Sequence, residues 1–161
     1  MISKVIAILV LSTILTTAAW AQTGRPIIEP IGTFGLTSVV DDGAHILVGG
    51  SLRVYVSSRL GIEPELMLLN GPNSDRDVTF IPHVTYDFGD SLRVRPYAIG
   101  GIGVLHHTNK FLGVSFSNNE WTMSAGAGAK FFLNNRLFLA PELRLGYKPI
   151  FRAAIGIGYG F

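Results

Sequence analysis

The sequence predicts an all-β fold, an eight-stranded antiparallel up-and-down β-barrel that crosses a membrane through its strands. Three observations support this prediction. Hydrophobic residues make up 48% of the 161 residues and charged residues only 15%, which is a balance typical of membrane proteins. Apolar residues recur at every second position, which is the spacing of a β-strand. Turn-forming residues divide the chain into segments of about the length that a tilted strand needs to cross a bilayer.

A removable leader precedes the predicted barrel. Lys4 gives the N-terminus a positive charge, and an apolar stretch of about eleven residues follows it. This stretch is too short for a membrane-spanning helix, which needs about 20 residues. The Ala-Trp-Ala triplet that ends at Ala21 has the small-residue pattern that signal peptidase recognises. We therefore expect residues 1–21 to be a cleaved signal peptide and residues 22–161 to be the mature barrel domain.

The alternation is clearest in the C-terminal segment, 151–161. Large apolar side chains occupy one face of this segment, and glycine, alanine or arginine occupies the other. In a small membrane barrel the large apolar residues face lipid, and the small or polar residues face the lumen. The same pattern recurs in seven earlier segments. We predict strands near 27–37, 44–56, 60–70, 78–88, 93–106, 120–132, 137–147 and 151–161.

The predicted connections alternate in length. Residues 57–59, 89–92 and 133–136 form tight turns, whereas residues 71–77 and 107–119 form longer polar loops. Outer-membrane barrels have short turns on the periplasmic side and longer loops outside. The two remaining outer loops are short, so we expect little elaboration of the exterior.

Four prolines lie inside predicted strands, on the face predicted to meet lipid. They are Pro64, Pro82, Pro96 and Pro141. Because proline removes one hydrogen bond from the ladder, we expect bulges or strand ends near these positions.

The alternation also directs ten charged residues into the lumen. An eight-stranded barrel has an interior only wide enough for side chains to fill, and buried charges need partners. We therefore predict a salt-bridged plug in place of an apolar core, with a narrow ion path or a ligand site as the alternative. The predicted lumen charge network contains Arg53, Glu63, Glu65, Asp87, Arg93, Arg95, Lys130, Glu142, Arg144 and Arg152.

Three local motifs point to a known family. Arg95-Pro96-Tyr97 opens a glycine-rich strand, and the segment 126–132 is followed by an Asn-rich turn and then by the segment 139–144. The chain ends with Tyr159 and Phe161, which is similar to the C-terminal signal that the barrel assembly machinery reads. Together these features resemble the small eight-stranded outer-membrane β-barrel proteins of the OmpA/OmpX type. The resemblance implies this fold and an outer-membrane location, but no particular activity.

The resemblance also implies partners. Outer-membrane lipid would surround the barrel, and periplasmic chaperones and the assembly machinery would bind it transiently. We expect a monomer, and the formal charge of +2 is too small to indicate nucleic acid as a partner. Aromatic side chains would mark the two membrane interfaces. These are Tyr86, Phe88, Trp121, Tyr147, Phe151, Tyr159 and Phe161.

The strongest catalytic pattern is His106-His107-Thr108-Asn109 followed by Glu120. It resembles the His-x-Ser-Asn motif with a downstream glutamate in lipid A deacylases, which are also eight-stranded barrels. A hydroxyl beside an imidazole that a carboxylate orients is nucleophilic chemistry. Thr108 stands where that family has serine. We expect no enzyme, and we keep a lipid A 3-O-deacylase-like hydrolase with His106, Thr108 and Glu120 as the catalytic alternative.

The sequence predicts no cofactor and no metal site. It contains no cysteine, and its glycine-rich runs lie in predicted strands with no helix to receive a phosphate. Adjacent His106 and His107 would point to opposite faces of a strand. The predicted function is therefore an integral outer-membrane barrel with a structural or surface-interaction role. A narrow small-solute channel and a secreted soluble β-sandwich remain as alternatives, since a sandwich has the same period of two.

Overall fold

A computed structural model describes residues 28–39, 43–71, 76–89, 93–111 and 114–161. The predicted signal peptide lies outside these residues. The described residues include no helix with the length and apolar character that a membrane crossing would require.

Eight antiparallel strands close into a single barrel. Each strand pairs with its neighbours in sequence, and the first strand pairs with the last. This arrangement confirms the predicted fold class. The strands are β1 Ile28–Val39, β2 Gly43–Tyr55, β3 Leu60–Asn70, β4 Arg76–Asp87, β5 Val94–Phe111, β6 Val114–Phe132, β7 Leu137–Tyr147 and β8 Phe151–Tyr159.

The strands are staggered around the barrel. Each paired residue of a strand has one partner on the neighbouring strand. Moving from Leu36 of β1 to its partner on β2, and onward in the same way through β3, β4 and β5, leads to Ser117 of β6. The opposite path through β8 and β7 leads to Ala127 of the same strand. The two paths thus end ten residues apart, at 117 and 127. A stagger of this kind accompanies the strand tilt that closes a sheet into a barrel.

The hairpin of β5 and β6 differs from the sequence prediction. The predicted loop over 107–119 is wrong, because the pairing of β5 with β6 continues until Phe111 meets Val114. Beyond the membrane both faces of a hairpin meet water, so its residues need not alternate in polarity while the ladder continues. For the same reason β4 begins at Arg76, inside the loop predicted over 71–77.

The prolines interrupt pairing without producing bulges. Around Pro64, Ser51 pairs with Glu65 and Val54 pairs with Ile62, which is the same register on both sides of a two-residue gap. The pairing of β4 with β5 lapses in the same way beside Pro82, and that of β6 with β7 beside Pro141. The expected bulges at these three positions are therefore wrong. A missing N–H removes ladder hydrogen bonds, but no extra residue is inserted. Pro96, by contrast, is the third residue of β5 and lies near a strand end.

The two faces of the barrel are inverted relative to a soluble protein. Large apolar side chains cover the outer wall, and Ile102 and Leu145 are each 66% exposed. Aromatic rings lie near both ends of this wall. Trp121 stacks on Tyr147 with ring centroids 4.9 Å apart toward the loops. The pairs Tyr86–Phe88 and Tyr159–Phe161 lie toward the turns, with centroids 5.2 and 5.0 Å apart.

Candidate functional site in the barrel lumen

The first group of lumen charges surrounds Glu65 of β3. Arg152 of β8 donates to both carboxylate oxygens, with nitrogen–oxygen distances of 2.6 and 3.0 Å. Arg144 of β7 also binds both oxygens, at 3.2 and 2.9 Å. A bidentate guanidinium–carboxylate pair is stronger than a single hydrogen bond and fixes the geometry of both side chains. Glu65 therefore joins three strands across the lumen.

A second carboxylate and a tyrosine extend this group. The Nε of Arg144 donates to Glu142 at 2.5 Å, and the Tyr97 hydroxyl donates to the other oxygen of Glu142 at 2.9 Å. The guanidinium carbon of Arg53 lies 4.5 Å from the centroid of the Tyr97 ring. Tyr97 thus connects the group around Glu65 to a second group of charges nearer the turns.

The second group surrounds Lys130 of β6. Its ammonium donates to Glu29 at 2.7 Å, to Asp87 at 3.2 Å and to the Tyr55 hydroxyl. The Tyr55 hydroxyl donates in turn to Asp87 at 2.8 Å. Lys130, Glu29 and Asp87 are fully buried. An ammonium has three N–H groups, and here each of them has an oxygen partner.

Arg53 of β2 lies between the two groups. Its Nε donates to Glu63 at 2.6 Å, and Ser51 donates to the other oxygen of Glu63 at 2.6 Å. The Nη1 atom of Arg53 is 3.9 Å from Glu29 and 3.8 Å from Asp87. These longer separations make Arg53 the electrostatic link between the two groups.

The buried charges of the lumen come close to balance. Among the described residues five cations and five carboxylates are buried in the lumen. A sixth carboxylate, that of Asp77, lies 2.6 Å from Nδ1 of His107 at the loop end. Groups of both signs are needed together because an uncompensated buried charge is costly. The cations are Arg53, Arg95, Lys130, Arg144 and Arg152, and the five carboxylates are Glu29, Glu63, Glu65, Asp87 and Glu142.

His83 of β4 belongs to the same network and does not form a catalytic pair. Its Nε2 lies 2.9 Å from Nη1 of Arg144 and 3.1 Å from the Ser124 hydroxyl. A guanidinium can only donate, so Nε2 accepts from Arg144. The lone pair that would remove a proton from Ser124 is therefore already engaged.

Apolar side chains fill the remaining lumen. One buried cluster contains Leu47, Met67, Leu69 and Ala154. The other is built from Ile31, Tyr97, Ile99, Phe138 and Ala140. Two cavities lie beside these groups in the described part of the barrel, with volumes of about 20 Å³ next to Arg152 and about 10 Å³ next to Arg53. Each has room for about one water molecule.

The structure places nine of the ten predicted lumen charges inside the barrel, and Arg93 is the exception. Arg93 is exposed in the turn before β5, where its carbonyl accepts from the Phe132 N–H at 3.0 Å. Strand alternation does not apply to a residue that precedes the strand. Sequence reasoning missed Glu29 and Asp77. Glu29 could have been found, because it shares the odd-numbered face of β1 with Thr33 and Thr37.

The three residues of the catalytic alternative are not brought together. Nδ1 of His106 is 2.6 Å from the Asn119 side chain, and His106 lies on the outer face of β5. Thr108 is two residues further along and shares that face. Glu120 pairs with buried Leu105 on the inner face, and its carboxylate accepts from Lys148. The wall of the barrel thus separates the carboxylate from the imidazole and the hydroxyl.

The predicted assembly signal lies at the closure of the barrel. Tyr159 is the last residue of β8, and the Phe161 N–H donates to the carbonyl of Ile28 at 3.0 Å. The Phe161 ring is 70% exposed on the outer wall. Both aromatic side chains are therefore near the strand pair that closes the barrel, and their role as an assembly signal remains a prediction.

A closed barrel with an apolar outer wall and a charged, packed interior defines a small transmembrane β-barrel. The sequence matches the outer membrane protein beta-barrel domain family over residues 7–151. The chain belongs to this family, and it is an outer-membrane protein.

Solved barrels share this fold at low sequence identity. The N-terminal barrel domain of OprF from Pseudomonas aeruginosa has a TM-score of 0.70 and 19% identity, covering 85% of this chain and 99% of that domain. Neisserial surface protein A has a TM-score of 0.69 and 12% identity, covering 86% and 98%. Ail, the attachment invasion locus protein of Yersinia pestis, has a TM-score of 0.58 and 12% identity, covering 83% and 94%. No curated protein matches the sequence.

Proposed function

We propose that this protein is a non-enzymatic outer-membrane barrel with a structural or surface-interaction role, and that a salt-bridged plug closes its lumen. The observation that carries the proposal is the pair of bidentate contacts from Arg144 and Arg152 to Glu65. These contacts cross the lumen from β7 and β8 to β3. A permanent aqueous path would require this central junction to be absent or displaced.

Packing around the junction supports closure. The lumen cavities of about 20 and 10 Å³ could each hold about one water molecule, which is too little for a hydrated ion. Opening the lumen would also separate buried guanidinium groups from the carboxylates that they bind. A buried charge without its partner is strongly unfavourable. Both arguments favour a silent barrel over a small-solute channel.

The hairpin of β5 and β6 supports a surface role. The first residue of β4, Arg76, pairs with Thr108, and the last residue of β7, Tyr147, pairs with Met123. Beyond these two levels the hairpin continues to Phe111 and Val114. It therefore rises past its neighbours on the loop side of the barrel, where it is available for contact with other molecules.

Single-channel conductance tests the closed lumen. The protein, folded in detergent and checked by its electrophoretic mobility, is added to a planar lipid bilayer. We expect no conductance steps, whereas a porin added to the same bilayer produces them. Reproducible steps from the folded protein would replace the proposal with a small-solute channel.

The absence of lipid hydrolysis is tested in cells. Lipid A is extracted from cells with and without the protein and is analysed by mass spectrometry. We expect the same acyl chain pattern in both, because His106 and Glu120 lie on opposite faces of the barrel wall. Loss of an acyl chain that depends on Thr108 would establish the deacylase instead.

A further inference from the structure

The connections at the two ends of the barrel carry opposite charge. In the sequence, the turns at the end where β1 begins and β8 ends contain three arginines and one aspartate, a net charge of +2. The loops at the other end contain one lysine and three aspartates, a net charge of −2. The turns are residues 56–59, 88–93 and 133–136, and the loops are residues 40–42, 71–75, 112–113 and 148–150.

The three turn arginines occupy equivalent positions. Arg59, Arg93 and Arg136 are each the last residue before an odd-numbered strand, β3, β5 and β7. All three are exposed. Since the turns join successive pairs of strands, the arginines are spread around the rim instead of clustering at one point. We call these three residues the arginine ring. A ring of this kind matches a flat anionic surface better than a compact ligand.

Aromatic side chains set the depth of the arginine ring. Nη1 of Arg136 donates to the Tyr159 hydroxyl at 3.3 Å, and the Tyr159 ring packs against Phe161. The Tyr86–Phe88 pair lies at the start of the turn that contains Arg93. Aromatic rings of membrane proteins concentrate at the level of the lipid headgroups. The guanidinium groups are therefore near the depth of the lipid phosphates.

We propose that the arginine ring binds the phosphates of anionic phospholipids in the inner leaflet of the outer membrane and so anchors the periplasmic rim of the barrel. Short turns are the periplasmic side of such barrels, which places the ring against that leaflet. A guanidinium matches a phosphate group with two parallel hydrogen bonds. Each basic side chain near an anionic surface strengthens attachment by roughly fivefold.

Unfolding in two kinds of vesicle tests this proposal. The protein is folded into vesicles of phosphatidylcholine and into vesicles of equal parts phosphatidylcholine and phosphatidylglycerol. Urea titration followed by tryptophan fluorescence gives an unfolding constant in each. We expect the constant to be at least about fivefold lower in the anionic vesicles. Equal constants would overturn the proposal.

Matched variants assign the effect to the ring. In the triple variant Arg59→Gln, Arg93→Gln, Arg136→Gln the ratio of the two unfolding constants should approach one. Replacement of the same three residues by lysine keeps the positive charges, so most of the difference between the two constants should remain. Arg76→Gln, an exposed position at the loop end, should leave the ratio unchanged. A triple glutamine variant that keeps the full ratio contradicts the proposal.

Salt provides a second measurement if the glutamine variant does not fold. High ionic strength screens attraction between exposed charges, so in the unmodified protein the ratio should fall toward one as salt is added. A ratio that does not respond to salt contradicts the proposal as well.

Discussion

Arg152 and Glu65 form a bidentate ion pair across the lumen, with nitrogen–oxygen distances of 2.6 and 3.0 Å, although 87 residues separate them in the chain. They belong to β8 and β3, which are not neighbours in the barrel. Arg144 binds the same carboxylate from β7. One glutamate therefore holds together walls of the barrel that backbone hydrogen bonds do not connect directly.

Removal of this glutamate should destabilise the barrel strongly. Glu65→Ala leaves two buried guanidinium groups without their shared partner, so we expect a loss of about 3–5 kcal/mol in the free energy of unfolding. Urea titration in lipid vesicles measures it. Glu120→Ala is the control, because Glu120 pairs with Lys148 at the partly exposed loop end and should shift the urea midpoint far less. Equal shifts for the two variants would show that the junction at Glu65 does not stabilise the barrel.

Two glycines of the barrel wall should respond differently to alanine. A Cβ at Gly103 would lie 2.1 Å from the carbonyl oxygen of Phe80, whereas a Cβ at Gly32 would meet nothing within 4 Å. The neighbouring strand must move to admit Gly103→Ala, and we expect a cost of about 1–3 kcal/mol. Gly32→Ala should change the free energy of unfolding by no more than about 0.5 kcal/mol. Similar urea midpoints for the two variants would contradict the close approach of β4 at Gly103.

An arginine on the outer wall tests which face meets lipid. Ile155 lies at the middle of β8 with 55% of its surface exposed. Ile155→Arg should cost about 2–4 kcal/mol in a bilayer, because a charge at the midplane of the membrane is poorly solvated. Ile150→Arg, in the loop between β7 and β8 and also exposed, should cost about 0–1 kcal/mol. Equal tolerance of both arginines would mean that the outer wall faces water.

Closure of the barrel should make the folded protein resistant to SDS. Each of the eight strands has a paired neighbour on both sides, since β1 pairs with β8, and an unpaired edge in lipid would be costly. Without boiling, the folded protein should migrate differently from the boiled sample in SDS electrophoresis. Identical bands from a sample that is folded by circular dichroism and soluble without detergent would indicate a β-sandwich.

The membrane-crossing strands could be predicted because they contain a strong alternating pattern. The face of β8 that carries Ile155 and Ile157 must meet lipid, and the face that carries Gly156 and Gly158 must fit a narrow lumen. Neither constraint acts outside the membrane. The continuation of β5 and β6 past His107 was therefore not visible in the pattern, and only the ladder between the two strands reveals it.

The lumen charges could be predicted as a set but not as pairs. Alternation directs Glu65, Arg144 and Arg152 inward whatever their partners are. Which guanidinium binds which carboxylate depends on the stagger of the strands, which brings residues distant in sequence to the same level. The sequence alone also did not place Glu29 beside Lys130, a contact between residues 101 apart.

The sequence by itself determined that this chain forms an inverted barrel, because the period of two in apolar residues acts locally, and each strand carries its own lipid face. Only the tertiary structure decided the junctions at Glu65 and Lys130, the separation of His106 from Glu120 by the barrel wall, and the position of Arg93 at the rim. These features depend on register, closure and strand ends. They arise when all eight strands are paired, and no single segment contains them.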